Sequence, residues 1–364
     1  MSDNRRVYRT IRKAIKQFYP QEPKGNVARH LNTLSALVAG IVQSKRSQLP
    51  AIAGKIPENT NLESRVKKYN RWVQNDRIEL GVYYLPFVRE LLLALAELRT
   101  LVLVMDGSEI GHDCLALMLS VVYKGRTLPI VWLVVQGKKG HFSAEKHIAL
   151  LQEVYEIIPK SADVVFLGDG EFDSVELQNS LKNYGWDYAC RTAENIIIEE
   201  YGEEFSFKEL SIEPGDCFFL PQVLFTKQKY GPVQVVAWWQ TGYKDPIFLV
   251  TNLEVKEEAC YWYKKRFRIE TFFSDEKSRG FHIQKSHISD PERLTRLLIA
   301  ACLAYIWVVY LGTVAQKDNL VRRIHRSDRC DLSLFQLGLR LLDYLLNHEK
   351  PIPVAFKMPT WTVL

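Results

Sequence analysis

The 364-residue chain reads as an α/β protein: a mixed sheet with helices against it, preceded by a helical N-terminal region, interrupted by a β-rich insertion and closed by helices. Three observations predict this. Apolar residues recur at helical spacing through residues 27–92, as in Leu31, Leu34, Leu37, Val38 and Ile41. Between Leu101 and Arg191, short apolar runs with strand texture alternate with helical stretches. Residues 194–249 then turn to Gly, Pro and aromatics in period-two alternation. With 47% hydrophobic and 25% charged residues, the chain has a globular composition and length for two or three cores, which excludes a disordered or fibrous protein.

In the N-terminal region, Gly40, Pro50, Gly54 and Pro57 cut the apolar pattern into short helices of helix-turn-helix-like proportions. Leu101–Met105 is a short buried strand ending in Asp106. Cys114–Tyr123 and Thr127–Val135 are strands joined by a hairpin at Lys124-Gly125-Arg126. Ser143–Ile157 has helical periodicity, Asp163–Leu167 is a buried strand that stops at Gly168-Asp169, Phe172–Tyr184 reads as helix and Trp186–Arg191 as a fifth strand. The period-two stretches Phe218–Leu220, Val233–Trp239 and Ile247–Val250 make a small β-insertion. Glu257–Arg279 is strongly helical and crowded with charge, and Ser333–Leu346 is a last helix. The expected organisation is therefore 1–95 helical, 96–193 first part of the sheet core, 194–249 insertion, 250–315 second part of the core and 316–364 C-terminal helical region.

Charge is unevenly spread. The first 80 residues hold sixteen basic and six acidic side chains, a net of +10 within a chain whose total is +6, so the remainder carries −4. That end is suited to a polyanion. Lys67, Lys68 and Arg71 are the candidate phosphate contacts, although a solvated basic face would leave the same pattern. The six cysteines are widely spaced and form no C-x-x-C, so neither a zinc ribbon nor a disulfide framework is written here, and buried reduced thiols are expected. MSDNRRVYRT lacks an apolar signal core, which argues against export. Leu297–Gly312 is apolar but shorter than the roughly 20 residues a bilayer requires, so a buried core helix with no membrane partner is expected.

Two carboxylates stand at the ends of buried strands: Asp106 after LVLVM and Asp169 after DVVFLG. Acids so placed are partly desolvated yet within reach of a ligand, which suits oxygen coordination of Mg²⁺; Asp-Gly is also an ordinary turn. A third acid joins them. At about 100° per residue, Tyr263, Arg266, Glu270 and Lys277 fall on one helix face, while Asp275 and Glu276 point away. An acid between two cations and a phenol can set a metal-bound carboxylate beside a gripped phosphodiester.

These four residues match Y-x2-R-x3-E-x6-K, which resembles the signature of bacterial cut-and-paste DDE transposases of the insertion sequence four group. Asp106 in VLVMDGSE is similar to that family's first aspartate, and Asp169 in FLGDGEFDS to its second, where the usual text is closer to A-D-R-G-F-D-S. The β-rich insertion between second Asp and Glu also agrees, and the resemblance extends to LNTLSALVAGIVQSKRSQLPAIAG near the N-terminus. Here Gly170 and Glu171 replace the usual Arg-Gly, and Asp173 stays open as an alternative second acid.

The resemblance implies an RNase H-like core in which Asp106, Asp169 and Glu270 are the catalytic residues and bind two Mg²⁺ ions, with Mn²⁺ able to substitute. It implies double-stranded DNA as partner, both transposon ends and target, and strand cleavage at terminal inverted repeats followed by strand transfer. Arg266 and Lys277 would hold phosphates, and Tyr263 would contact the backbone or stack on a base. Trp238 or Trp239 of the insertion would stabilise a flipped base, although strand tryptophans are also ordinary core. A homodimer in the synaptic complex and a cytoplasmic, nucleoid-associated prokaryotic location follow from the same likeness. An RNase H-like nuclease without strand transfer, or a domesticated non-catalytic DNA-binding protein, are the competing readings.

Overall fold

The computed structural model describes residues 2–137, 140–326, 328–354 and 356. Six helices come first: α1 (Asp3–Lys16), α2 (Gly25–Ser44), α3 (Leu49–Gly54), α4 (Leu62–Gln74), α5 (Leu80–Tyr83) and α6 (Leu85–Ala96). α4 starts where Asn61 accepts the Ser64 N–H at 2.8 Å, an N-cap that satisfies a donor the helix itself leaves free. It buries Tyr69, Trp72 and Val73 and leaves Lys67, Lys68 and Arg71 outside.

β1 (Leu101–Gly111), β2 (Cys114–Tyr123) and β3 (Arg126–Gln136) form an antiparallel meander. The β2–β3 turn is tight because Lys124 and Gly125 both take positive φ, +45° and +78°, as a two-residue hairpin turn requires. α7 (Ala144–Tyr155) crosses to β4 (Val164–Gly168), which lies parallel to β1, and α8 (Val175–Asn183) leads to β5 (Asp187–Thr192), parallel to β4. This is the mixed α/β core that the sequence predicts.

The insertion differs from expectation. β6 (Ile197–Glu200), β7 (Glu203–Ser206), β8 (Cys217–Phe225), β9 (Tyr230–Trp238) and β10 (Ile247–Thr251) do not build a sheet of their own. β10 pairs antiparallel with β5 on one side and β9 on the other, giving one ten-stranded sheet in the order β3-β2-β1-β4-β5-β10-β9-β8-β6-β7. The reason is β10 itself, whose five residues are all buried and whose both edges are used.

The charged segment also differs. The expected single helix is two, α9 (Lys256–Tyr263) and α10 (Arg268–Glu276), with Lys264–Phe267 in turn conformation between them. α11 (Pro291–Lys317) follows, then α12 (Val321–Ile324) and α13 (Leu334–Asn347). α11 has 27 residues, longer than the apolar run read from the sequence and long enough to cross a membrane. It packs against α13, α2, α4, α10 and β3, and 94% of its most apolar stretch is inside the protein. Arg293 and Arg296 at its start reach α4, donating to Asn70 Oδ1 at 2.9 Å and the Val73 carbonyl at 3.3 Å. The N-terminal helices and the sheet thus share one core.

Candidate active site

Strand register sets the first pair of acids. β1 and β4 run parallel with Val104 beside Leu167 as their last pair; Asp106 follows two residues on in β1 and Asp169 two residues on, in the turn after β4, close enough for the Asp169 charge to act on the Asp106 carboxyl. Asp106 is not at a strand end, as the sequence suggested. β1 continues to Gly111 because β2 still pairs with it, Asp106 lying opposite Met118. β4 stops at Gly168, so from Asp106 onward β1 has no β4 residue paired to it.

Both aspartates are half-buried and Glu270 is exposed. Burial pushes the Asp106 carboxyl up to about 7, the neighbouring Asp169 charge adds to the rise, Arg266 opposes it and Glu270 contributes a little more. Asp106 thus feels both of the other acids, with Arg266 as the cation beside it. Arg266, itself buried, holds Glu270 Oε1 at 3.2 Å, while its Nε has no partner among the described residues. With Glu270 turned to Arg266, no set of three or more His, Cys, Asp or Glu side chains among the described residues is gathered as metal ligands. The donors are nonetheless all carboxylate oxygens, which suit a hard divalent cation. Glu270 stands in the first turn of α10 with its side chain 58% exposed, which leaves it room to change rotamer.

Lys277, at the end of α10, donates to Ser108 Oγ at 2.7 Å, two residues past Asp106 on β1. Burial lowers its pKa, against the attraction of Glu109 and Asp106. Arg266, Glu270 and Lys277 are thus all brought to β1 near Asp106 and Ser108 even though the helix that was to align them is broken. Tyr263 departs from expectation: at 1% exposure it has no face for a base to stack on. Burial pushes its phenol up to about 12, Arg266 and Arg191 pull it down, and Asp169 raises it again, so it backs the second aspartate from inside. Asp173 is engaged elsewhere, accepting from Thr192 Oγ1 at 2.7 Å.

Trp238 is 8% exposed in β9, with Lys264 Nζ 4.9 Å from its ring. Trp239 is half-buried and donates from Nε1 to the Tyr243 carbonyl at 3.0 Å. Of the basic residues on α4, Lys68 pairs with Glu58 at 2.8 Å. The cysteines are free: Cys114, Cys190, Cys260 and Cys302 buried, Cys217 half-buried, Cys330 exposed.

Sequence reasoning missed Ser108 and the contacts of Glu171. That carboxylate accepts from the Phe142 N–H and pairs with His141 Nδ1 at 3.0 Å and His147 Nε2 at 3.3 Å, while its own N–H donates to Asp169 Oδ1 at 3.0 Å. The signal was present in Gly170-Glu171, the departure from the family's usual text beside the second aspartate.

No curated protein sequence matches the chain. Among solved structures it is similar to a cryo-EM structure of a piggyBac transposase synaptic complex with hairpin DNA, at 11% identity and a TM-score of 0.46, covering 94% of this chain and 78% of that one. Residues 101–307 match the family described as transposase DDE domain. That span runs from the first residue of β1 into α11, takes in both aspartates, the whole insertion and Glu270, and is more than half of the sequence. The chain belongs to the DDE transposase family.

Proposed function

We propose that this transposase binds the terminal inverted repeats of an element of the insertion sequence four type, cleaves DNA strands there and joins the freed ends to target DNA. Asp106, Asp169 and Glu270 are its catalytic acids. The observation that carries this reading is placement: Asp106 on β1 lies within electrostatic reach of Asp169, the residue after β4, and of Arg266 and the solvent-exposed Glu270. A carboxylate pair held so close costs free energy unless a cation joins it.

Asp106, Asp169 and Glu270 would hold divalent metal, Mg²⁺ physiologically and two ions in number. When bound, the metal supplies Lewis-acid stabilisation of the phosphodiester oxygens and lowers the pKa of a bound water. The protein does the rest by placement. Glu270 would turn from Arg266 to serve as a ligand with the aspartates, and the freed guanidinium would grip two phosphate oxygens. Lys277, anchored through Ser108 two residues past Asp106, offers a second cation. α4 presents Lys67, Lys68 and Arg71 to the backbone of the bound end, and Trp238 and Trp239 of the insertion are the candidates for stabilising a flipped base.

Asp106→Ala, Asp169→Ala and Glu270→Ala are expected to abolish cleavage of a labelled inverted-repeat duplex while binding it with unchanged affinity. Wild-type-like cleavage by any of them removes that residue from the site. Supplying a pre-cleaved 3′-hydroxyl end with a target plasmid tests joining separately from cleavage.

A further inference from the structure

Glu171 stands where the resembling family usually carries glycine, and it is tied to more of the active site than its neighbours in sequence. Its side chain is 12% exposed. One oxygen accepts the Phe142 backbone N–H and the His147 ring, and the other accepts from His141. His147 is itself 1% exposed in α7, its ring 4.6 Å from that of Phe172. Phe142, at 7% exposure, lays its ring on β1 at Gly107, the residue after Asp106; a β-carbon there would stand 3.2 Å from the ring. On the other side, the Glu171 N–H donates to Asp169 Oδ1.

A continuous chain of contacts therefore runs from Asp169 through Glu171 and Phe142 to Gly107 and Asp106. We infer that Glu171 is a positioning residue for DNA cleavage: it clasps the loop ahead of α7 to the turn after β4 and so sets Asp169 against Asp106. This rests on the reading of those two aspartates as catalytic acids. Buried histidine–carboxylate contacts are also found as plain structural supports, and what separates the two roles here is where the contacts end. Partners that orient the side chains of a metal site cost roughly 10–100-fold in metal affinity or activity when removed.

The experiment compares Glu171→Ala, Glu171→Gln, Phe142→Ala and Asp169→Ala in the full chain. It reads Mn²⁺ binding by electron paramagnetic resonance, single-turnover cleavage of an inverted-repeat duplex, affinity for that duplex, and melting temperature. Glu171→Ala is expected to lower both Mn²⁺ affinity and cleavage by roughly 10–100-fold with duplex affinity unchanged. Glu171→Gln, which keeps an acceptor for the Phe142 N–H, is expected to recover most of both. Phe142→Ala, which cuts the clasp at its other end, should reproduce the loss, and it decides the matter if Glu171→Ala does not fold. Wild-type Mn²⁺ affinity in a folded Glu171→Ala or Phe142→Ala protein, with Asp169→Ala inactive, overturns the inference. So does a Glu171→Ala protein that loses duplex binding as steeply as cleavage. If Asp169→Ala itself binds Mn²⁺ and cleaves normally, the underlying site assignment is what has failed.

Discussion

α10 carries acids on two faces, and they live in opposite surroundings. Glu270 is exposed and held by Arg266, near Asp106 of β1. Six residues on, Glu276 is 1% exposed with neither oxygen partnered among the described residues, beside Asp275, which is buried against Arg126 of β3. Burial pushes the Glu276 carboxyl up to about 8 and Asp275 adds to the rise, while Asp275 itself reaches about 6 even with Arg126 beside it. A raised carboxyl pKa is therefore no mark of chemistry. What separates the two faces is access: Glu270 faces solvent, where DNA can come, and Glu276 faces Tyr84, Cys302 and the rest of the core.

The comparison breaks first on catalysis. Glu270→Ala is expected to lower single-turnover cleavage by roughly 10²–10³-fold or more, the scale of removing a preorganised electrostatic group, whereas Glu276→Gln should cleave at the wild-type rate. A Glu276→Gln protein that is folded, binds ends and does not cut would erase the distinction. Next is stability. Arg126→Ala leaves Asp275 buried without its cation, and denaturant titration should show a drop of about 3–5 kcal/mol.

A smaller effect comes from pH. Glu276 holds its proton in the fold until about pH 8, against an ordinary 4.5 in the unfolded chain. Between those values the unfolded chain has released a proton that the native chain keeps, so this residue's share of stability falls as pH rises from about 4.5 to 8 and is level above that. At about 1.4 kcal/mol per pKa unit, the decline is on the order of a few kcal/mol. Melting temperatures at pH 5, 7 and 8.5 should show Glu276→Gln gaining on the wild type as pH rises, and parallel curves would refute the assignment. The smallest effect concerns α4, a third kind of charged face. Neutralising Lys67, Lys68 and Arg71 should weaken end binding and flatten its salt dependence, the slope falling by up to about 0.9 for each phosphate no longer neutralised. Lys68, already paired with Glu58, should contribute least.

Much of this was legible in the chain, and the exceptions share a cause. The β2–β3 hairpin was readable because Lys124-Gly125 is a local turn code, and β4 because its five residues are a bare apolar run. Asp106 was found for the right residue type but with the wrong placement, since where β1 ends depends on how far β2 accompanies it. The break at Lys264–Phe267 was hidden by charge spacing that stays helical across it, and the joining of β10 to β5 by partners far apart in sequence. Of the candidate site, Asp106 and Asp169 could be picked out as acids closing apolar runs, and Arg266, Glu270 and Lys277 by helical spacing. The burial of Tyr263 could not, because one helical face looks alike whether solvent or a strand lies opposite.

α11 has a practical consequence. It is apolar around nearly its whole circumference, and the N-terminal helices cover one flank while the sheet and α13 cover the others. A fragment begun at residue 96 would strip that flank and present it to other copies or to lipid, so trimming the chain to its catalytic portion invites aggregation rather than a minimal enzyme. Dissection of this protein is better done by point substitution than by the scissors.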